Sequence, residues 1–152
     1  LINEMATGKG FTPIGYYPSA FGGNFDGKEN AIYNLYINNL GEEEDRGLFG
    51  RMTGKSCISD LTVTGEINSN WEAGGIVGGT IEANGTTIIN CTNKVNIKAY
   101  NIVGGIAGSY VQTIKECKNY GEIEITGHDY AYGGVGGIIG STNNGNYTIM
   151  EK

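Results

Sequence analysis

Gly47-Leu48-Phe49-Gly50, Gly75-Ile76-Val77-Gly78, Gly105-Ile106-Ala107-Gly108 and Gly137-Ile138-Ile139-Gly140 form one recurring tetrad, and its recurrence decides how the chain is read. The starting glycines lie 28, 30 and 32 residues apart. Gly74, Gly104 and Gly136 precede three of the tetrads, and Arg46 precedes the first. A fixed period of this length is the signature of a repeat architecture, in which each unit buries its apolar face only against its neighbours.

A second element follows each of the first three tetrads. It begins at Cys57-Ile58-Ser59-Asp60-Leu61-Thr62-Val63, at Cys91-Thr92-Asn93-Lys94-Val95-Asn96-Ile97 and at Cys117-Lys118-Asn119-Tyr120-Gly121-Glu122-Ile123. Ala31-Ile32-Tyr33-Asn34-Leu35-Tyr36-Ile37 reads as an earlier, degenerate copy. Aligned on the cysteines, the copies give the columns Ala31/Cys57/Cys91/Cys117, Leu35/Leu61/Val95/Ile123 and Ile37/Val63/Ile97/Ile125. This alignment needs a two-residue insertion in the last copy. Leu61-Thr62-Val63-Thr64 and Glu122-Ile123-Glu124-Ile125 alternate with period two, which places apolar residues on one face of a strand. No stretch carries a 3.6-residue apolar stripe, and Asn84-Gly85, Gly133-Gly134 and Asn144-Gly145 supply turns.

These features predict an all-β chain folded as a single-stranded parallel β-helix, or β-solenoid. It has roughly four to five turns of about 30 residues and is right-handed by the general crossover rule. Stacking turns roughly 4.8 Å apart pairs every strand with the next and gathers like side chains into interior columns. The tetrad glycines are expected to supply positive φ and close approach between turns. An antiparallel sandwich also uses short strands and glycine-rich turns, but it gives no reason for one residue type to return at one phase. Residues 1–20 are expected to form a capping segment and residues 21–152 a single repeat domain.

Composition agrees. The chain has 152 residues, 27 of them glycine and 2 proline, which excludes collagen and proline-rich linkers. Apolar residues make up 39% and charged residues 17%, too apolar and too weakly charged for a disordered tail. The formal net charge of −6 argues against a nucleic-acid partner, which needs clustered cations. No run has the length of a membrane span. The sequence starts at Leu1 without a leader-like stretch and is expected to be a section of a longer protein.

Phe11-Thr12-Pro13-Ile14-Gly15, Phe21-Gly22-Gly23-Asn24-Phe25-Asp26-Gly27, Ile32-Tyr33-Asn34-Leu35 and the tetrads together resemble the GLUG-motif repeat proteins. The likeness runs from about residue 11 to residue 140. It implies a β-helical stalk in a secreted or surface-anchored bacterial protein, with a role in adhesion. Some members carry such repeats beside a separate metallopeptidase domain. His128 is the one histidine here, so no His-Glu-x-x-His motif exists and peptidase activity does not carry over.

Cys57, Cys91 and Cys117 are expected to stack at one phase as small buried apolar groups. Parallel Cβ vectors suit a disulfide poorly, and no Cys-x-x-Cys pair signals zinc. His128 beside Asp129 has no nucleophile near it, and Glu42-Glu43-Glu44-Asp45 reads as a solvated acidic run lacking the order of a Ca²⁺ loop. Thr62 and Thr64 have no threonine ladder to join, and the three Asn-x-Thr sequons are what an Asn/Thr-rich chain contains by chance. Trp71, Tyr100 and Tyr132 each precede a Gly-Gly-Ile unit by three or four residues and are expected to line up at neighbouring corners. Such a row could stack on sugars or meet a partner protein, or simply cover the turn below. Tyr16 and Tyr17 are expected to cover the first turn.

The function expected is a non-catalytic structural or adhesive module, extracellular, without cofactor or metal. Its partners would be a host protein or glycan, and an open sheet edge would favour self-association. A carbohydrate-binding module at Trp71, Tyr100 and Tyr132 is the alternative. A polysaccharide-degrading β-helix enzyme ranks last, because the acidic residues scatter among the turns.

Overall fold

The structure is a computed structural model that describes residues 8–40, 45–82, 84–127, 134–142 and 149–151. Among these residues there is no helix, and therefore none long and apolar enough to cross a membrane. The strands form three sheets whose strand pairs are all parallel, and successive turns stack along them as a β-solenoid of about four turns.

Each turn visits the sheets in the same order. The first sheet folds around a corner. Its short leg holds Cys57–Ser59, Thr87–Ile89, Thr113–Lys115 and Ile149–Glu151, paired in register. Its long leg holds the rest of strand Cys57–Ser69, then Thr92–Ala99, then Lys118–Asn119 with Ile123–Ile125. Strand Asn24–Asn39 lies along both legs with two register shifts. Ala73–Gly74, Ile102–Gly104 and Gly134–Gly136 build the second sheet. The tetrads run into the third, where Phe49–Met52, Val77–Thr80, Ala107–Ser109 and Ile139–Ser141 pair.

Interior columns run through the stack. Ile37, Ile67, Ile97 and Ile123 occupy one level position. Ile58, Ile88 and Ile114 occupy another, and Phe49, Val77, Ala107 and Ile139 a third. The members of the inner turns are buried, whereas Ile123 and Ile139 of the last full turn are half-buried. Burial of these aliphatic groups, each contributing roughly 1.5–3 kcal/mol, is what makes one turn depend on the next.

The tetrads fall at the phase their glycines predict, but the long leg does not follow the cysteine alignment. Leu61 lies level with Cys91 and Cys117, and Cys57 lies level with Thr87 and Thr113. Leu61, Val95 and Ile123 therefore belong to three different columns. Gly65 is the partner of Val95, and Ile97 that of Ile123. The true offset is 30 residues between the first pair of copies and 26 between the next, with no insertion. Outward residues change partners too, so that Thr62 meets Thr92 and then Lys118.

What fixes the register is the corner. Asp60, Asn90 and Glu116 all have left-handed backbone, with φ of 53°, 49° and 54°, and they stack at the bend between the legs. Asp and Asn tolerate this conformation better than most residues. The Asn90 side-chain amide donates to Asp60 Oδ1 at 2.6 Å, and this bond, then one from Ser59, holds the Asp60 carboxyl below its usual range.

The tetrad glycines themselves have no positive φ, which corrects that part of the expectation. They are needed for close approach alone. A Cβ at Gly47 would lie 2.7 Å from the Gly74 carbonyl oxygen and 2.8 Å from the Gly78 nitrogen in the turn above.

Residues 8–21 lie against the first turn. The Phe11 amide donates to Tyr36 O at 2.7 Å and the Asn38 amide to Lys9 O at 2.8 Å, an antiparallel contact on the outer strand. Ile14 sits parallel to Phe49, and Phe21 and Phe25 pack on the Phe49 ring at 4.9 Å and 5.3 Å. The free edge of the first turn is thus partly satisfied by its own chain.

Candidate functional site

The solenoid's long leg presents outward columns Glu66/Asn96/Glu122 and Asn68/Lys98/Glu124 along a shallow groove of about 250 Å³. Lys98 and Glu124 pair at 2.8 Å, both more than half exposed, so the pair contributes little. Among the described residues no ring lines this groove. It is a solvated face of mixed charge.

A different cleft, of about 240 Å³, opens on the tetrad side of the molecule. Three rings line it, and each comes from a different level of the chain: Tyr17 from before the first full turn, Trp71 from the second, and Tyr110 from the corner that ends the third tetrad strand. Local bonding places them. The Ser69 hydroxyl accepts a bond from the Trp71 amide at 3.0 Å, turning the chain out of strand Cys57–Ser69. Tyr110 has φ of 61°, and its carbonyl accepts a bond from the Thr80 hydroxyl at 2.9 Å. Arg51 carries its guanidinium 5.8 Å above the Tyr17 ring centroid.

The floor of the cleft is polar. Arg51 Nε lies 2.6 Å from Asp45 Oδ2, and Asp45 is buried, so this pair is less screened than a surface one. Ser109 donates its hydroxyl hydrogen to Glu72 Oε2. Burial pushes the Glu72 carboxyl up to about 7, opposed by the Ser109 bond and helped by the charge on Asp45. Near neutral pH Glu72 is thus part protonated, beside a neutralised Asp45–Arg51 pair.

The two described members of the expected aromatic row are one position out of register. Tyr100 lies level with Asn70, bonding through its amide to Ser69 O, while Trp71 lies level with Asn101. The Tyr100 ring covers Gly127 of the next turn and does not line the cleft. Tyr132 and His128 lie outside the described residues, as do Glu42, Glu43 and Glu44. Asp45 departs from the solvated reading of its acidic run, because Arg51 draws it into the fold. Tyr110, Glu72 and Ser109 carried no signal in the one-dimensional pattern, and Tyr17 only that of a cover for the first turn, since their meeting depends on the offset between turns.

The three cysteines are free thiols. Cys91 and Cys117 are neighbours, with the Cys91 amide 3.5 Å from Cys117 Sγ, and Cys57 stands apart on the short leg. The contact with Cys117, and then burial, raises the Cys91 thiol well above its usual range, which makes it unreactive. Buried Asn93 and half-buried Asn119 form a ladder of their own: the Asn93 amide donates to Asn119 Oδ1 at 2.8 Å, and Asn93 Oδ1 accepts from the Val95 amide at 2.9 Å. The repeated Cys-x-Asn spacing was the sequence signal for that ladder. Among the described residues no three His, Cys, Asp or Glu side chains are grouped to hold a metal ion.

No protein-family model matches the chain, and no solved structure matches it. Over 140 residues, 88% of this chain, it is 32% identical to Halomucin of Haloquadratum walsbyi (strain DSM 16790 / HBSQ001). The chain spans about 1% of that protein's length.

Proposed function

We propose that the chain is a non-catalytic structural section of a secreted or cell-surface protein, a solenoid stalk of the GLUG-repeat kind that holds its loops away from the surface bearing it. The observation that carries this reading is the in-register column Ile37/Ile67/Ile97/Ile123, which ties successive turns into one rod. A solenoid gains length by adding turns, each stabilised by its own contacts and by its neighbours. Rigidity and reach are what such a rod supplies. The similarity to a short stretch of Halomucin, a mucin by name, supports an extracellular setting and a modular role within something longer. Its partners would be a host protein or glycan, met through the loops.

The test is antibody labelling of intact cells that make the protein, run beside incubation of the purified chain with polysaccharides. Labelling of unbroken cells, with no new reducing ends or unsaturated products, is the expected result. Antigen confined to the cell interior would overturn the setting. Product formation would overturn the non-catalytic part.

A further inference from the structure

The cleft on the tetrad side joins two kinds of surface. Tyr17, Trp71 and Tyr110 bring aromatic side chains, and Asp45, Arg51, Glu72 and Ser109 bring polar ones. Their partners inside the protein hold the polar groups in place, as in the Arg51 contact to Asp45 at 2.6 Å and the Ser109 bond to Glu72. A site set up this way loses little freedom when a ligand arrives.

Size and charge narrow what fits. A volume of about 240 Å³ falls below the roughly 300–1,000 Å³ of pockets that take drug-sized ligands. It suits one ring-sized group. Asp45 and Arg51 cancel, and Glu72 adds no full charge near neutrality, so the cleft offers neither an anion nor a cation a full countercharge. What remains is a neutral group with an apolar face and a polar rim. A pyranose has both, its axial C–H bonds meeting the negative ring faces and its hydroxyls donating to carboxylate oxygens and accepting from Arg51.

We propose that the Tyr17–Trp71–Tyr110 cleft is a subsite for one neutral hexopyranose unit of a glycan, stacked on the rings and hydrogen-bonded by Asp45, Arg51, Glu72 and Ser109. This goes beyond the stalk reading and does not depend on it, since a rod needs no such cleft. Of the rings singled out in the sequence, Trp71 belongs to this cleft and Tyr100 does not, and Tyr17 and Tyr110 join it.

The test uses the 152-residue chain and the methyl glycosides of glucose, galactose, mannose and N-acetylglucosamine. Glucuronate and glucosamine serve as charged controls. Saturation-transfer NMR and calorimetry read the binding. At least one neutral glycoside is expected to bind with a millimolar constant. Trp71→Ala should weaken it about tenfold, Tyr17→Ser several-fold and Tyr100→Ala not at all. Tyr17 is 66% exposed, so its replacement leaves the core intact even if Trp71→Ala impairs folding. The proposal is overturned by silence of all four neutral glycosides at about 20 mM. Binding that survives both the Trp71 and Tyr17 substitutions overturns it too, as does a preference for either charged sugar.

Discussion

One missing methyl group at Gly105 sets how closely two turns approach. A Cβ there would stand 2.6 Å from Asn119 Nδ2 in the next turn, against the amide that bonds the Gly121 nitrogen at 3.1 Å. The same arrangement recurs one turn earlier, where a Cβ at Gly75 would fall on the Asn93 side chain. The tetrad's first glycine and the Cys-x-Asn asparagine are therefore halves of one device across the solenoid. Gly137, the equivalent position of the last tetrad, has nothing among the described residues within 4 Å of its would-be Cβ. Gly105→Ala should cost about 2–4 kcal/mol by overpacking beside a satisfied polar group, whereas Gly137→Ala should stay within about 0.5 kcal/mol. Urea midpoints of the two variants make the comparison, and equal losses would show that close approach is not what the glycines provide.

At the scale of elements, the tetrad strands and the long leg were not equally legible. Doubled glycines mark the phase of three tetrads and Gly47 that of the first, and Phe49, Val77, Ala107 and Ile139 pair as their spacing requires. On the long leg, the cysteine alignment slips the Cys57 copy by four residues. A slip by an even number keeps every side chain on its own face, so the alternation of Leu61-Thr62-Val63-Thr64 could not expose it. Only the left-handed corner at Asp60, Asn90 and Glu116 separates the two registers, and Glu116 does not advertise such backbone in sequence. The cleft was half legible for a related reason. Trp71 stands out by its type and place, but its neighbours come from other turns and follow only from the correct offset. Glu72, ahead of strand Ala73–Gly74, tests that packing through pH. Its carboxyl is raised from 4.5 to about 7, so between these values the folded chain holds a proton that the unfolded chain releases. Stability should therefore fall as pH rises through this window and be lowest above about 7. Glu72→Gln removes the effect. Its advantage over the unsubstituted chain should grow by about 2 kcal/mol between pH 4 and pH 8, allowing for screening at a partly open site. Thermal unfolding across that range checks it, and a difference that stays flat would mean that Glu72 is solvated.

For the whole molecule, stability is a property of neighbours. Ile97 and Ile106 are buried between turns, while Ile123, Ile138 and Ile139 in the next turn are only half-buried, and Val135 is 56% exposed. Apolar groups and strand edges left in that state favour association with a second chain. Light scattering on this chain should show mass rising with concentration, and a strict monomer into the millimolar range would count against it. The solenoid rests on aliphatic groups from positions 30 and 26 residues apart meeting in one interior column. NMR with isoleucine, leucine and valine methyls labelled reads that meeting directly. Cross-peaks should link Ile37 to Ile67, Ile67 to Ile97 and Ile97 to Ile123, with a parallel series through Ile58, Ile88 and Ile114. Their absence, or links joining Leu61 to Val95 and Val63 to Ile97 in their place, would contradict it.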